Sequence, residues 1–248
     1  MTLETFFTQH PAVAIAFSGG ADSAYLLYAA SRYAARVQAY IVKSAFQPAF
    51  ELADAKRLAA ELDVPLTVLE LDVLALESVR TNPPDRCYHC KHAIFEAIAR
   101  AAAADGFTVL CDGTNASDDS GDRPGMRVLA ERGVYSPLRD CGLTKDAVRA
   151  RSREAGLFTW DKPAYACLAT RIPTGEALTA EKLAATEAAE AFLASLGFRD
   201  FRVRAHDGHA RIQVPAAQLP RVLEMRQAIL CELKRYYHTV TLDLEARE

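Results

Sequence analysis

The strongest constraint on this chain is an unbroken apolar run, Ala12 to Phe17, that ends in Ser18-Gly19-Gly20 and is followed by apolar residues at helical spacing from Ala21 to Ala35. A buried strand, a tight glycine turn and a helix are the units that this pattern predicts. Such a turn points backbone N–H groups and the positive end of the helix dipole at one spot, which suits a phosphate. Ser18 and Ser23 add hydroxyl donors, and Asp22 is placed to hold Mg²⁺ against the phosphates. A Walker A loop would end in Gly-Lys-Ser/Thr; Ala21-Asp22-Ser23 stands there instead, so γ-phosphate transfer is not indicated.

The alternation continues along the chain. Val37 to Val42 reads as a second strand, Ala49 to Leu62 as an amphipathic helix and Leu66 to Leu71 as a third strand. After the break at Asn82-Pro83-Pro84, Cys87 to Ala104 is helical in pattern and Phe107 to Cys111 is a fourth strand. Strands alternating with helices predict an α/β fold with a doubly wound parallel sheet. If the first strand is central the fourth lies beside it, and the loop after it, Asp112-Gly113-Thr114-Asn115-Ala116-Ser117-Asp118, faces the Ser-Gly-Gly turn across the ligand crevice. That polar loop is expected to run to Pro124, and Thr144 to cap a helix reaching Ala155. Trp160 to Gly175 reads as irregular, and the domain boundary falls there: 1–175 binds nucleotide, 176–248 is a smaller α+β domain. The latter is expected to hold a helix from Thr179 to Leu196, strands near 201–205 and 210–214, one long helix from Leu219 to Tyr237 and a last strand.

The 29 Lys and Arg against 32 Asp and Glu leave a net charge of −3, so no broad basic surface points to nucleic acid. No apolar stretch approaches the roughly 20 residues of a membrane span, and the expected location is the cytoplasm. Cytoplasmic thiols stay reduced, so the spacing of the six Cys matters more than their even number. Cys87 and Cys90, three apart at a helix start, share a face. Cys167 lies in the irregular stretch, where Arg171 beside it would favour a thiolate and bind anions. Three thiolates fit either a 4Fe-4S cluster with one open iron or Zn²⁺ completed by His89 or His92. Cys111, Cys141 and Cys231 read as small buried hydrophobes. Arg202 and Arg204 flank Val203 on a strand and so point the same way, as a clamp for a phosphate would.

SGGADS closing a first strand, with DGTNASD after the fourth, resembles the PP-loop ATP pyrophosphatases. The resemblance implies a fold of the adenine nucleotide alpha hydrolase type, ATP bound by Ser18, Gly19, Gly20, Asp22, Ser23, Asp112, Gly113, Thr114, Asn115 and Asp118, and transfer of AMP to a substrate oxygen. DRCYHCKHAIF, DGTNASDDSGDRPG, SPL and KPAYACLATRIPTGEALT occur in the order of the LarE sulfurtransferases, over nearly the whole chain. That closer resemblance implies a pyridinium mononucleotide substrate whose carboxylates become thiocarboxylates for a nickel-pincer nucleotide, and a homo-oligomer, expected to be a hexamer. It gives Cys167 the handling of sulfur, Arg171, Arg202 and Arg204 the substrate phosphate, and Glu190 a metal ion. Single-cysteine relatives sacrifice that thiol, whereas Cys87 and Cys90 set this chain with the cluster-bearing ones. Other readings of the same loop are a tRNA thiolase, an ammonia-dependent ligase and a non-enzymatic nucleotide sensor.

Overall fold

The computed structural model describes residues 1–118 and 124–247. In chain order the elements are α1 (Leu3–Gln9), β1 (Ala12–Ala16), α2 (Ala21–Tyr33), β2 (Arg36–Lys43), α3 (Ala49–Glu61) and β3 (Leu66–Glu70). There follow α4 (Glu77–Arg80), α5 (Arg86–Ala104), β4 (Leu110–Asp112), α6 (Pro124–Glu131), α7 (Pro137–Asp140) and α8 (Lys145–Glu154). The remainder comprises α9 (Ala180–Ser195), β5 (Arg202–His206), β6 (His209–Gln213), α10 (Leu219–Glu224), α11 (Arg226–Leu233) and β7 (Thr239–Leu242).

The chain divides into two compact units, Met1–Val73 with Asp85–Lys162, and Leu74–Pro84 with Pro163–Glu248. This differs from a single boundary after residue 175. The reason is hydrogen bonding: the Asn82 side chain donates to Pro173 O at 2.8 Å, Gly175 N donates to Asn82 O at 2.8 Å, and Leu178 N donates to Arg80 O at 2.8 Å. Residues 163–175 therefore belong with the C-terminal unit, and so does the segment around the proline break.

In the first unit the strands run in the order β3-β2-β1-β4, all parallel, so β1 is central and β4 lies at its side as expected. Alternation along each strand feeds two layers of helices. Val13 and Ile15 of β1, with Ala39 and Ile41 of β2, pack with Phe7, Leu26, Leu27, Leu58 and Val148 on one face. Ala14, Tyr40 and Val42 pack with Ile98, Ala102 and Phe107 on the other. Helices on both faces of a parallel sheet make this a doubly wound α/β fold. Ala16 and Asp112 are in register at the carboxyl ends of β1 and β4, so the two loops that follow start side by side.

Gly113 then lies directly against the first turn of α2. A Cβ there would come within 2.8 Å of Ser23 N and Ser23 Cα, backbone atoms that cannot swing aside.

The second unit has its own three-stranded sheet, order β5-β6-β7, and its own core of Leu193, Val203, Ala210, Ile212, Ile229 and Leu233. Asp207-Gly208, both at positive φ, close the β5–β6 hairpin, the geometry such two-residue turns require. The long helix expected over 219–237 is instead α10 and α11, broken where Met225 takes φ −92° and ψ 8°, and it stops at Leu233.

Substituting Gly113→Ala is expected to destabilise the first unit by about 1–3 kcal/mol, as overpacking against fixed backbone does. Thermal unfolding checks this, and an unchanged melting temperature would contradict it.

Candidate functional site

The Ser18–Ser23 loop is shaped by its own hydroxyls. Ser18 Oγ and Ser23 Oγ lie 3.0 Å apart, Ser18 N donates to Ser23 Oγ at 3.3 Å, and Ser23 Oγ donates to Gly20 O at 3.2 Å. Gly19 holds φ +77°, and a Cβ on it would meet Glu51 O at 2.8 Å, so both its conformation and its space demand glycine. Gly20 caps α2 without any side-chain bond, leaving the N–H groups of the first turn directed at the loop. Asp22, in that turn, has Oδ1 buried with no partner among the described residues, while Lys145 Nζ donates to Oδ2 at 3.4 Å.

The facing loop is organised by carboxylates. Asp112 is buried and accepts from Ser136 Oγ at 2.6 Å and from Thr114 Oγ1. Burial pushes its carboxyl above the usual range, against the pull of those two hydroxyls. Asp118 Oδ2 accepts from Asn115 N at 2.9 Å, and Asn115 Oδ1 accepts from Ser117 N at 2.8 Å. Both oxygens of Asp112 are thus occupied in holding the loop, and of this set Asn115 offers the open group: its Nδ2 is buried with no partner among the described residues. Of the longer motif Asp112–Gly125, residues 119–123 lie outside the described residues.

Two lysines also serve this site, Lys145 and the Lys162 that opens the KPAYACLATRIPTGEALT stretch. Lys162 Nζ donates to Gly19 O at 3.0 Å and to Asp54 Oδ2 at 2.7 Å, with only 13 % of its side chain exposed. It thereby ties the phosphate loop to α3. Lys145 does similar work at the other rim, its side chain on Asp22 and its backbone N–H on Ser117 Oγ at 3.0 Å. Their partners stand far off in the chain, so no local pattern announces these pairings.

Cys87 and Cys90 lie on the first turns of α5, Cys87 exposed and Cys90 buried. Of the histidines considered as a fourth ligand, His89 is 3.2 Å from the Asp85 carboxylate, and His92 lies 3.1 Å from an Arg132 nitrogen. Among the described residues of this unit, no three His, Cys, Asp or Glu side chains group as metal ligands. Cys111 is buried as expected and Cys141 half-buried, but Cys231 is exposed on α11: that helix carries its buried residues at Ile229 and Leu233, and position 231 lies on the opposite side.

In the second unit Cys167 is half-buried and precedes a short 3₁₀ turn, Leu168–Arg171. Arg171 is not an open anion binder: it is 1 % exposed and forks onto Glu190, Nε to Oε1 at 2.8 Å and Nη2 to Oε2 at 3.1 Å. Glu190 also accepts from Val203 N at 2.9 Å and from Tyr165 OH. With four donors on its two oxygens, this carboxylate has no site left for the metal ion expected there. Arg202 and Arg204 do share a face of β5. Burial, reinforced by the charges of Arg171 and Arg247, lowers Arg202 to about 10, and burial with Arg171, Arg211 and Arg247 lowers Arg204. Crowded cations of this kind gain from an added anion.

Residues 12–82, which hold β1 to β3 and the phosphate loop, match the family of queuosine biosynthesis protein QueC. The chain is 35% identical to an uncharacterized protein of Synechocystis, over 98% of this chain and 92% of that one. An uncharacterized protein of Methanocaldococcus jannaschii is 28% identical over 94% of this chain and 89% of its own. Identity is 34% to the pyridinium-3,5-bisthiocarboxylic acid mononucleotide synthase of Lactiplantibacillus plantarum, over 94% of this chain and 85% of the synthase. With a doubly wound sheet whose central strand ends in a glycine-serine phosphate loop, and a likeness to that synthase along nearly its whole length, the chain belongs to the LarE family of the PP-loop superfamily.

Proposed function

We propose that this protein is an ATP-dependent sulfurtransferase that adenylylates a carboxylate of pyridinium-3,5-biscarboxylic acid mononucleotide and replaces the activated oxygen with sulfur. The observation that carries the substrate is the 34% identity over 94% of the chain with the Lactiplantibacillus synthase. The geometry supports the chemistry.

Ser18 and Ser23 hydroxyls, the backbone N–H groups of the loop and the positive end of α2 would cradle the β- and γ-phosphates. The unpartnered Oδ1 of Asp22 fits a hard cation, and Mg²⁺ there would neutralise phosphate charge. Asn115 Nδ2 is a further donor available to the nucleotide. A substrate carboxylate oxygen bonds to the α-phosphorus while the bond from that phosphorus to the α,β-bridging oxygen breaks, and pyrophosphate leaves. A sulfur nucleophile then bonds to the acyl carbon, and AMP departs with the carboxylate oxygen. Arg202 and Arg204 would hold the substrate phosphate, since an anion relieves the repulsion that the neighbouring Arg171 and Arg247 impose on each.

Cys167 is the sulfur-handling residue in this reading. Cys87 and Cys90, two thiols at a helix N-terminus with one of them exposed, fit thiolate ligation, and with Cys167 they would hold a 4Fe-4S cluster. When bound, that group would supply the sulfide that enters the thiocarboxylate. The protein would then turn over repeatedly rather than consume Cys167. Among the described residues no helix is long and apolar enough to cross a membrane.

Incubating the anaerobic protein with ATP, Mg²⁺, sulfide and the pyridinium biscarboxylate is expected to release pyrophosphate and give a product in which sulfur replaces oxygen. ATP binding with no pyrophosphate would contradict the enzyme and leave a sensor. The freshly purified protein is expected to be brown with iron and labile sulfide, and Cys87→Ala, Cys90→Ala or Cys167→Ala to bleach it. Colourless iron-free protein with full multiple turnover would contradict the cluster. Lys162→Ala is expected to raise the KM for ATP about tenfold, the loss of a charge-assisted hydrogen bond that shapes the loop. Steady-state kinetics check this, and an unchanged KM would contradict the role.

A further inference from the structure

We infer that the buried Arg171 and Glu190, with the half-buried Tyr165, form a clamp that positions the backbone of the Cys167 segment, which makes them positioning residues rather than ligands for an anion or a metal. What Cys167 does with sulfur rests on the proposed function; the clamp itself does not.

The donors and acceptors account for one another almost completely. Two of Arg171's N–H groups go to Glu190, and Nη1 donates to Ala166 O at 3.0 Å and to Thr170 Oγ1 at 2.8 Å. Thr170 in turn donates from both N and Oγ1 to Cys167 O, at 3.0 and 2.8 Å. Arg202 Nη2 donates to Ala164 O at 2.7 Å, and Arg204 Nη1 donates to Thr170 O at 3.0 Å. The carbonyls of residues 164, 166, 167 and 170 are thus each held, three of them by a guanidinium. Tyr165 fills the remaining space: its ring lies 4.6 Å from the Arg171 guanidinium carbon and 5.4 Å from that of Arg202, while its hydroxyl donates to Glu190.

Stability alone does not call for this arrangement. A buried ion pair is seldom more stabilising than apolar residues of the same volume, because both charges must leave water. An apolar pair, however, has no N–H to place on Ala166 O. Glu190 also accepts from Val203 N, so the guanidinium is referenced to β5 and α9, regular elements packed on the core of the unit, and transmits that position to the residues flanking the thiol. Only a planar fork does this: Lys in place of Arg171 would reach Glu190 or Ala166 O, not both in fixed geometry.

The test combines hydrogen exchange with a split of the two half-reactions, using Tyr165→Phe, which removes one hydroxyl and keeps the ring, and Glu190→Gln. Losing a hydrogen bond to a charged group is expected to speed backbone exchange across 164–172 by about tenfold or more, while β6 and α11 exchange as in the parent. Tyr165→Phe is expected to keep pyrophosphate release within about twofold and to lower thiocarboxylate formation about tenfold, because only the second half-reaction uses the positioned segment. Unchanged exchange in 164–172 in both variants would overturn the clamp. So would faster exchange spread over the whole unit with both half-reactions falling together, the signature of a merely structural pair. Should the parent protein release no pyrophosphate with the pyridinium substrate, the functional reading fails, and the exchange measurement still decides the clamp.

Discussion

The approach of Gly113 to the backbone of Ser23 is the contact on which the rest of the first unit depends. It sets the residue after β4 so close to the first turn of α2 that no side chain fits between them. Everything around it serves that junction: the register that sets Ala16 beside Asp112, the two hydroxyls that pin the Asp112 carboxylate, and the turn built on Asn115 and Asp118. Because hydrogen bonds within the two loops use most of their polar atoms, the few left over acquire meaning. Asp22 Oδ1 and Asn115 Nδ2 are buried polar groups of the kind folded proteins rarely leave unpaired unless a ligand completes them.

Charge is used differently in the two units. In the first, cations support the phosphate loop from outside, Lys162 through the Gly19 carbonyl and Asp54, Lys145 through Asp22. In the second, guanidinium groups gather around one buried carboxylate and leave a surplus of positive charge. A nucleotide and a mononucleotide both need phosphate recognition. In the proposed function, backbone N–H groups and a helix end would meet the first need and arginines the second.

Local patterns made much of this readable. The run Ala12–Phe17 is apolar on both sides because the strand is covered on both faces, and that alone implies a central position in a parallel sheet. The Ser-Gly-Gly turn announces its steric demands, while of the strand order only the place of the fourth strand beside a central first one was legible. What the sequence hid was long-range pairing. Lys162 and Asp54 are 108 residues apart, and Arg171 and Glu190 are 19 apart across a turn and a helix. A lone Arg beside a cysteine reads as an anion binder, and a lone helix Glu as solvated or metal-binding; only the fold shows that the two neutralise each other. The same blindness explains the domain boundary, since Asn82 captures carbonyls about 90 residues away. Cys231 shows the converse error, where residue type suggested burial and the helix face decided otherwise.

In the proposed reaction ATP is split to place AMP on a carboxylate oxygen before sulfur enters. Labelling the carboxylates of the pyridinium biscarboxylate with oxygen-18 tests it most directly, because displacement by sulfur must leave one labelled oxygen on the departing nucleotide. The account predicts oxygen-18 in AMP in equal amount to the thiocarboxylate formed. Unlabelled AMP accompanying thiocarboxylate, or label appearing in phosphate instead, would contradict it.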